Sequence, residues 1–254
     1  MTKEELYGTL KERFLEVLKR CRIENDTVRV TCRALTPQEA IGETKRKDFP
    51  IITGKDVMIQ AEYRHSRGQA FTDSPVSFCG PLSEISQMDL VHDSHERGIF
   101  IATLNAVMNS VGLCTGTVHC RKDGPEQCAQ DMLAFLRSEY PHVKRIALIG
   151  YQPSLLEMLK KSEYDVRVLD LNPVNVGQMR YGVMVEDGSR AYNEVIHSYA
   201  DLILCTGSTL CNGTIVNYMD LDVDVLFYGI TLAGSAELLG LKRVCFADRY
   251  GEPD

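Results

Sequence analysis

The sequence predicts an α/β protein: a small α+β unit followed by a Rossmann-like, doubly wound parallel sheet. Three observations carry that prediction. After Lys144 the apolar runs "RIALIG", "VRVLDL", "LILCTG", "VDVLFYG" and "RVCFA" are short and continuous, as in strands buried on both faces. Helical candidates at 153–161, 191–200, 213–219 and 232–240 lie between them, the alternation of a parallel sheet flanked by helices. Ahead of Lys144 the pattern is different. In "TVRVTCRAL", Val28, Val30, Cys32 and Ala34 alternate with Thr and Arg, so one strand face is buried and the other wet. The change of pattern sets an expected boundary near Tyr140, Pro141 and His142, between an α+β unit over 1–140 and a Rossmann-like unit over 141–254.

The elements of the first unit follow in order. Thr2 and Glu5 form a capping box, and Tyr7, Leu10, Phe14, Val17, Leu18 and Cys21 recur at helical spacing. "VMIQAEY" at 57–63 is a second, looser alternating strand. Helices are expected at about 96–111 and over 124–139, through "IFIATLNAVMNSVG" and "PEQCAQDMLAFLRSE".

Composition narrows the function classes. With 44% hydrophobic and 25% charged residues the chain can bury a core. Its net charge of -7 argues against a nucleic-acid or anionic-membrane partner. The one dense basic cluster, "KRK" at 45–47, reads as a solvated loop. No stretch reaches the eighteen apolar residues of a membrane span, and the N-terminus has no signal-peptide core. Nine cysteines without a disulfide framework then imply reduced, mostly buried thiols in a cytoplasmic protein. A homo-oligomer is compatible with the sequence, which leaves the oligomeric state open.

Ligands of open parallel sheets bind beyond the carboxyl ends of the strands. Four such ends are readable: Gly150 to Pro153, Asp170 to Pro173, Thr206 to Thr209, and Tyr228 to Thr231. Asp170 stands twenty residues after Gly150, the offset of a ribose-binding acid. Yet Gly150 is followed by Tyr, Gln and Pro, not by the glycines a pyrophosphate requires, so NAD-dependent hydride transfer is disfavoured. A ribose-bearing ligand without pyrophosphate, such as an adenosyl compound, is still compatible with these residues. Alternatively Asp170 caps a turn with Asn172 and Pro173. Thr206, Gly207, Ser208 and Thr209, with Asn212 or Thr214 opening a helix, read either as a cradle for a polar or anionic group or as an ordinary N-cap; the surplus of hydroxyls favours the cradle.

The metal-like constellations are weaker. Cys205 and Cys211 lack zinc-site spacing, Cys211 being the more exposed candidate. His92 and His95 would share a helix face without a third ligand. His119 and Cys120 are adjacent, so on a strand they would face opposite ways; His119 is a candidate proton shuttle or soft-metal ligand, or a buried structural histidine. No nucleophile motif is present, and the catalytic residues are not readable. Glu62, Arg64, Arg67 and Asp73 are the charged groups of the first unit that could serve a cleft.

The phrases "LTPQEAIG", "GQAFTD", "LNAVMNSVG", "TVHC", "IALIGYQPSLLEML", "VRVLDLNPVNVG", "LILCTGSTLCNGTI" and "FYGITLAGSAELLG" together resemble the "putative heavy-metal chelation" family, long catalogued as a domain of unknown function. The resemblance implies an enolase-N-terminal-like domain joined to a Rossmann-like one, with a site in the cleft between them. It implies a role in making or handling a chelating compound related to pterins, flavins or siderophores, by condensation or hydrolysis. Matching positions support Gly150, Gln152, Asp170, Asn172, Thr206 to Thr209, Asn212 and Thr231 as one wall, with Phe71, Thr72 and Asn105 from the first unit. Two functions follow: a small-molecule enzyme with an adenosyl- or pterin-type ligand, or a carrier of a divalent metal or metal chelate, using His119 and Cys211.

Overall fold

The computed structural model describes residues 1–26, 30–43, 48, 49 and 57–250. Val28, the "KRK" cluster at 45–47 and the side chains at 30–32 lie outside the described residues. The chain is mixed α/β, with an antiparallel four-stranded sheet and a mostly parallel six-stranded one.

The first helix, α1 (Lys3–Cys21), opens on the expected capping box: Thr2 Oγ1 accepts from the Glu5 amide at 3.2 Å and Glu5 accepts from the Thr2 amide at 2.7 Å. Strands β1 (Val30–Leu35), β2 (Val57–Tyr63), β3 (Ser66–Thr72) and β4 (Phe78–Gly80) form the antiparallel sheet in the order β3-β2-β1-β4, with the short helix α2 (Pro37–Ile41) after β1. Strand β3, which has no clean alternation, is absent from the sequence expectation. It pairs with β2 across a tight hairpin and is held by α4 (Ser94–Ser110), which follows the one-turn helix α3 (Leu82–Ile85).

Helix α4 is buried continuously from Arg97 to Met108, as expected of a helix with protein on every side. It packs on β2 and β3 and also on helices of the second half. Gly68 makes the close approach possible: a Cβ there would lie 2.2 Å from the Ala106 amide nitrogen and 2.3 Å from the Ala102 carbonyl oxygen.

The second sheet contains β5 (Arg145–Ile149), β6 (Asp165–Asp170), β7 (Met179–Arg180), β8 (Val183–Asp187), β9 (Leu202–Thr206) and β10 (Val225–Tyr228), in the order β10-β9-β5-β6-β8-β7. All neighbours are parallel except the β7–β8 hairpin. Chain order runs outward from β5 to β6 and β8, then returns to β9 and β10 on the other side. That reversal opens a crevice between the ends of β5 and β9. The run "RVCFA" is not a strand: beyond a single bridge between Phe227 and Arg243 it leaves the sheet and enters α10 (Ala247–Tyr250).

Alternation along β5 shows how the sheet is sandwiched. Ile146 and Leu148 join the cluster formed with α5 (Gly124–Glu139) and α6 (Pro153–Lys161). Ala147 and Ile149 join the cluster that runs through α4 to α1 and the inner face of the antiparallel sheet. The stretch expected as a helix at 191–200 is α7 (Gly188–Glu194) continued by a π-turn over Val195–Tyr199. After β9 come a single turn, α8 (Thr209–Asn212), and a 3-10 segment, Thr214–Tyr218; α9 (Ala233–Leu239) follows β10. No described helix is long and apolar enough to cross a membrane.

Candidate functional site

A cavity of about 540 Å³ lies at the carboxyl ends of β5, β6, β9 and β10. It brings together most of the residues singled out from sequence: Gly150, Gln152, Asp170, Asn172, Thr206, Gly207, Ser208, Asn212 and Thr231 from the second half, Phe71, Thr72 and Asp73 from the end of β3, and His119 and Cys211. Phe49, Met132, Leu155 and Val244 contribute apolar wall. Asn105 and Thr209 are not lining residues.

Hydrogen-bond accounting separates groups that hold the fold from groups with capacity to spare. Gly150 has φ +84°, and a Cβ there would meet Thr206 Cγ2 at 2.6 Å, so the first turn packs against a threonine methyl where only glycine fits. Asp170 Oδ2 accepts from the Tyr151 amide and from Asn175 Nδ2, both at 3.0 Å, and Oδ1 accepts from the Asn172 amide at 2.8 Å. The carboxylate thus fastens the turn after β6 to the turn after β5. Gln152 accepts from the Leu155 amide and caps α6. Asn212 Oδ1 accepts from the amide and hydroxyl of Thr214 at 3.0 and 2.7 Å.

Several amides of the turn after β9 are used within the fold. The Gly207 amide donates to Tyr228 O, Leu210 to Gly207 O, and Cys211 to Ser208 O. The Ser208 amide approaches Thr206 Oγ1 at 3.4 Å, and the Thr209 hydroxyl donates to Thr206 O at 2.7 Å. The turn is pinned from outside as well. Tyr7 Oη donates to Leu210 O at 2.6 Å, and the buried Arg97 donates to Cys211 O at 2.7 Å while stacking on the Tyr7 ring. Thr206 Oγ1 and Ser208 Oγ, 3.1 Å apart, are the hydroxyls that this turn leaves facing the cavity.

Asn105, expected at the site, is a bracket between the two halves. Its Nδ2 donates to the carbonyls of Gln69, Ile230 and Thr231 at 3.0 to 3.2 Å, and its Oδ1 accepts from the Gly234 amide at 2.8 Å. Thr231 Oγ1 accepts from the Phe71 amide at 3.0 Å and ties β3 to the turn after β10. Of the four charged residues proposed for the cleft only Asp73 lines it; Arg64 is paired with Asp26 at 3.1 Å, and Glu62 accepts from Gln60.

His119 is set differently. Its amide donates to Gln69 Oε1 at 2.8 Å, and its ring stands edge-on to Phe71 with centroids 5.6 Å apart. Nδ1 is 2.6 Å from the Cys120 carbonyl, which can only accept, so Nδ1 carries the proton. Burial lowers the ring's pKa below the usual histidine value, so the ring is neutral at pH 7 and Nε2 keeps its lone pair. Beside it Cys120, Cys128 and Cys245 line the cavity, a thiol group the sequence reading missed because its members come from three separate segments. Donation to Cys120 pushes the Cys128 thiol up to about 12, and donation to Cys128 raises Cys245.

Cys211, expected to be the exposed cysteine, is buried at 4% exposure, and that burial pushes its thiol up to about 12. Among the described residues no three His, Cys, Asp or Glu side chains are grouped to hold a metal ion. His92 Nδ1 instead lies 3.0 Å from Asp89.

Tyr181 Oη hydrogen-bonds Asp48, and Tyr151 Oη approaches the same carboxylate at 3.5 Å. Arg180, itself not a lining residue, stacks over the Tyr151 ring at 5.5 Å.

Residues 134–239 match the model of the family described as "Putative heavy-metal chelation". Among solved structures, the chain is similar to a protein of unknown function of that family from Pyrococcus horikoshii, at 18% identity over 89% of this chain and 79% of the other, with a TM-score of 0.51. A second similar structure, from Desulfitobacterium hafniense and again of unknown function, is 16% identical over 74% of this chain and 72% of the other, with a TM-score of 0.48. The first likeness supports the fold alone. No curated protein matches the chain. The matched stretch runs from the end of α5 through α9 and so contains every strand of the second sheet; the family whose model it matches is the one that the sequence phrases resemble.

Proposed function

We propose that this protein is a small-molecule enzyme whose cavity takes an organic compound with a largely uncharged body, a chelating pterin-, flavin- or siderophore-like molecule, and condenses or hydrolyses it. One observation carries this reading: a cavity of about 540 Å³ at the strand ends, with apolar walls and no Lys or Arg among its described lining residues. That volume is in the usual range for a small-molecule site, about 300–1,000 Å³. A pyrophosphate would bring negative charge to a wall that already holds Asp73 and Asp170 and offers no lining cation. A flat heteroaromatic body instead gains from Phe49, Phe71, Met132 and Val244, while Thr206, Ser208 and Asn172 supply directional polar contacts.

Asp170 favours a pterin- or flavin-type ring over an adenosyl compound. Three donors already occupy the carboxylate, which leaves little capacity for a ribose diol. His119 Nε2 is the proton acceptor of the site, since its tautomer is fixed by the Cys120 carbonyl and its ring is kept neutral by burial. A second reading, a carrier of a metal chelate without catalysis, is favoured by the family's description. In that reading the compound brings the metal's ligands, because the described side chains offer no donor trio.

Thermal unfolding tests the proposal. The panel holds a reduced pterin, a flavin, S-adenosylmethionine, NAD, inorganic phosphate, and zinc and nickel ions. A ligand at a hundredfold its dissociation constant stabilises by about 2.7 kcal/mol, and a chain of this size gains about 2–4 °C per kcal/mol. A shift with the pterin or flavin is the expected result, and turnover of the same compound then separates enzyme from carrier. A shift with NAD, phosphate or free metal alone contradicts the reading.

A further inference from the structure

Three thiols that the proposed binding role leaves unused meet at one end of the cavity. Cys120 follows α4, Cys128 lies in α5, and Cys245 lies between the Phe227 bridge and α10. The segments that carry them are packed together. Helix α10 lies on α5, the Arg121 amide donates to the Tyr250 carbonyl at 3.3 Å, and a Cβ at Gly124 would be 3.0 Å from Cβ of both Cys120 and Tyr250. The three thiols are near enough to perturb one another: Cys120 raises the Cys128 thiol and Cys128 raises that of Cys245. Cys120 is buried, whereas Cys128 and Cys245 are partly exposed, and all three line the cavity.

We propose that Cys128 and Cys245 are a redox-active dithiol that a peroxide entering the cavity converts to a disulfide. In the first step the Cys128 sulfur attacks a peroxide oxygen. A sulfur–oxygen bond forms, the oxygen–oxygen bond breaks, and the leaving hydroxide takes the thiol proton as water. In the second step the Cys245 sulfur attacks the Cys128 sulfenic acid. A sulfur–sulfur bond forms, the sulfur–oxygen bond breaks, and hydroxide leaves with the Cys245 proton as a second water. The pair loses two electrons and the peroxide gains them.

The pairing of these two, with Cys120 left out, follows from access: an oxidant in the cavity reaches the partly exposed sulfurs before the buried one. Hydrogen bonding and burial keep both thiols protonated near neutral pH, so the reaction accelerates about tenfold per pH unit in that range. The bond would join α5 to the segment after β10, two parts of the cavity wall, and so make the shape of the site depend on redox state.

The test is peptide mapping of the full chain. Fully reduced protein is treated with hydrogen peroxide, capped with N-ethylmaleimide and digested without reductant. The expected product is a Cys128–Cys245 linked peptide, lighter by two hydrogen atoms than its parts and lost on treatment with dithiothreitol. C120S and C79S retain the link; C245S loses it and leaves Cys128 as a sulfenic acid that dimedone traps. Maleimide capping of both cysteines after peroxide, a Cys128–Cys120 link, or conversion to sulfinic acid without any link each overturns the proposal. The wild-type map is decisive even if a variant fails to fold.

Discussion

Along the strand ends, Asp170, Gln152 and Asn212 have their side-chain oxygens bonded to neighbouring amides, and in the turn after β9 the Gly207, Leu210 and Cys211 amides donate to carbonyls. In the part of the wall formed by residues 119–128 and 244–247, His119 keeps an unshared Nε2 lone pair, and three thiols perturb one another. Both parts are polar and both line the same cavity. The difference teaches that a polar residue at a strand end is as readily fold machinery as ligand machinery, and that hydrogen-bond capacity decides which. Substitutions in the first region are therefore expected to read out in stability, and those in the second in chemistry.

The largest stability effect is expected at the bracket between the halves. Asn105→Ala removes one acceptor and two N–H donors shared among three carbonyls from a fully buried position, and a loss of about 3 kcal/mol in urea unfolding is expected. A loss below about 1 kcal/mol would mean that water replaces the side chain and that the bracket is not rigid. Asp170→Ala comes next, at about 2 kcal/mol, because two amides and the Asn175 side chain lose their acceptor. If the variant were as stable as the parent but lost ligand response, Asp170 would belong to the binding set and the comparison would fail at its clearest point.

How much of this was legible in the sequence follows the same line. The parallel strands were readable because two-sided burial leaves continuous apolar runs, as in Leu202 to Cys205, and the capping box at Thr2 because it is local. Strand β3 was not, since Ser66, Arg67 and Gly68 are chosen for their fit to α4 and the hairpin and break alternation. "RVCFA" imitates a strand because Val244 and Phe246 pack on the α5–α6 cluster, while Val244 and Cys245 also line the cavity. For the site, a cavity lies at the strand ends that the sequence singles out, but sequence carries no record of which oxygens are already bonded. The thiol trio is invisible for a different reason: its members are brought together by the packing of α10 on α5.

Two smaller effects sharpen the contrast. Burial holds the His119 pKa below its unfolded value, so the unfolded chain binds the extra proton first as pH falls. The associated stability is fully present above about pH 6.5 and is lost as pH falls through the folded value. His119→Gln should flatten the midpoint-against-pH curve just below that point, leaving the steeper carboxylate-driven loss at lower pH. An unchanged curve would show the imidazole to be open to water. The smallest stability effect is expected at Ser208→Ala, about 0.5 kcal/mol or less, since its hydroxyl bonds only Thr206 Oγ1; its consequence should appear instead as weaker binding of whatever compound stabilises the wild type.

The most direct test of the central claim, that the cavity binds an uncharged ring system and not an anion or a free metal, is carbon-13 methyl NMR of methionine-labelled protein. Met132 lines the cavity, whereas the exposed Met179 and Met184 lie on the β7–β8 hairpin. Titration with a reduced pterin or a flavin should move the Met132 methyl resonance saturably and leave Met179 and Met184 in place, while phosphate and zinc leave all three unmoved. A Met132 resonance that ignores both ring compounds but responds to phosphate or zinc would contradict the account.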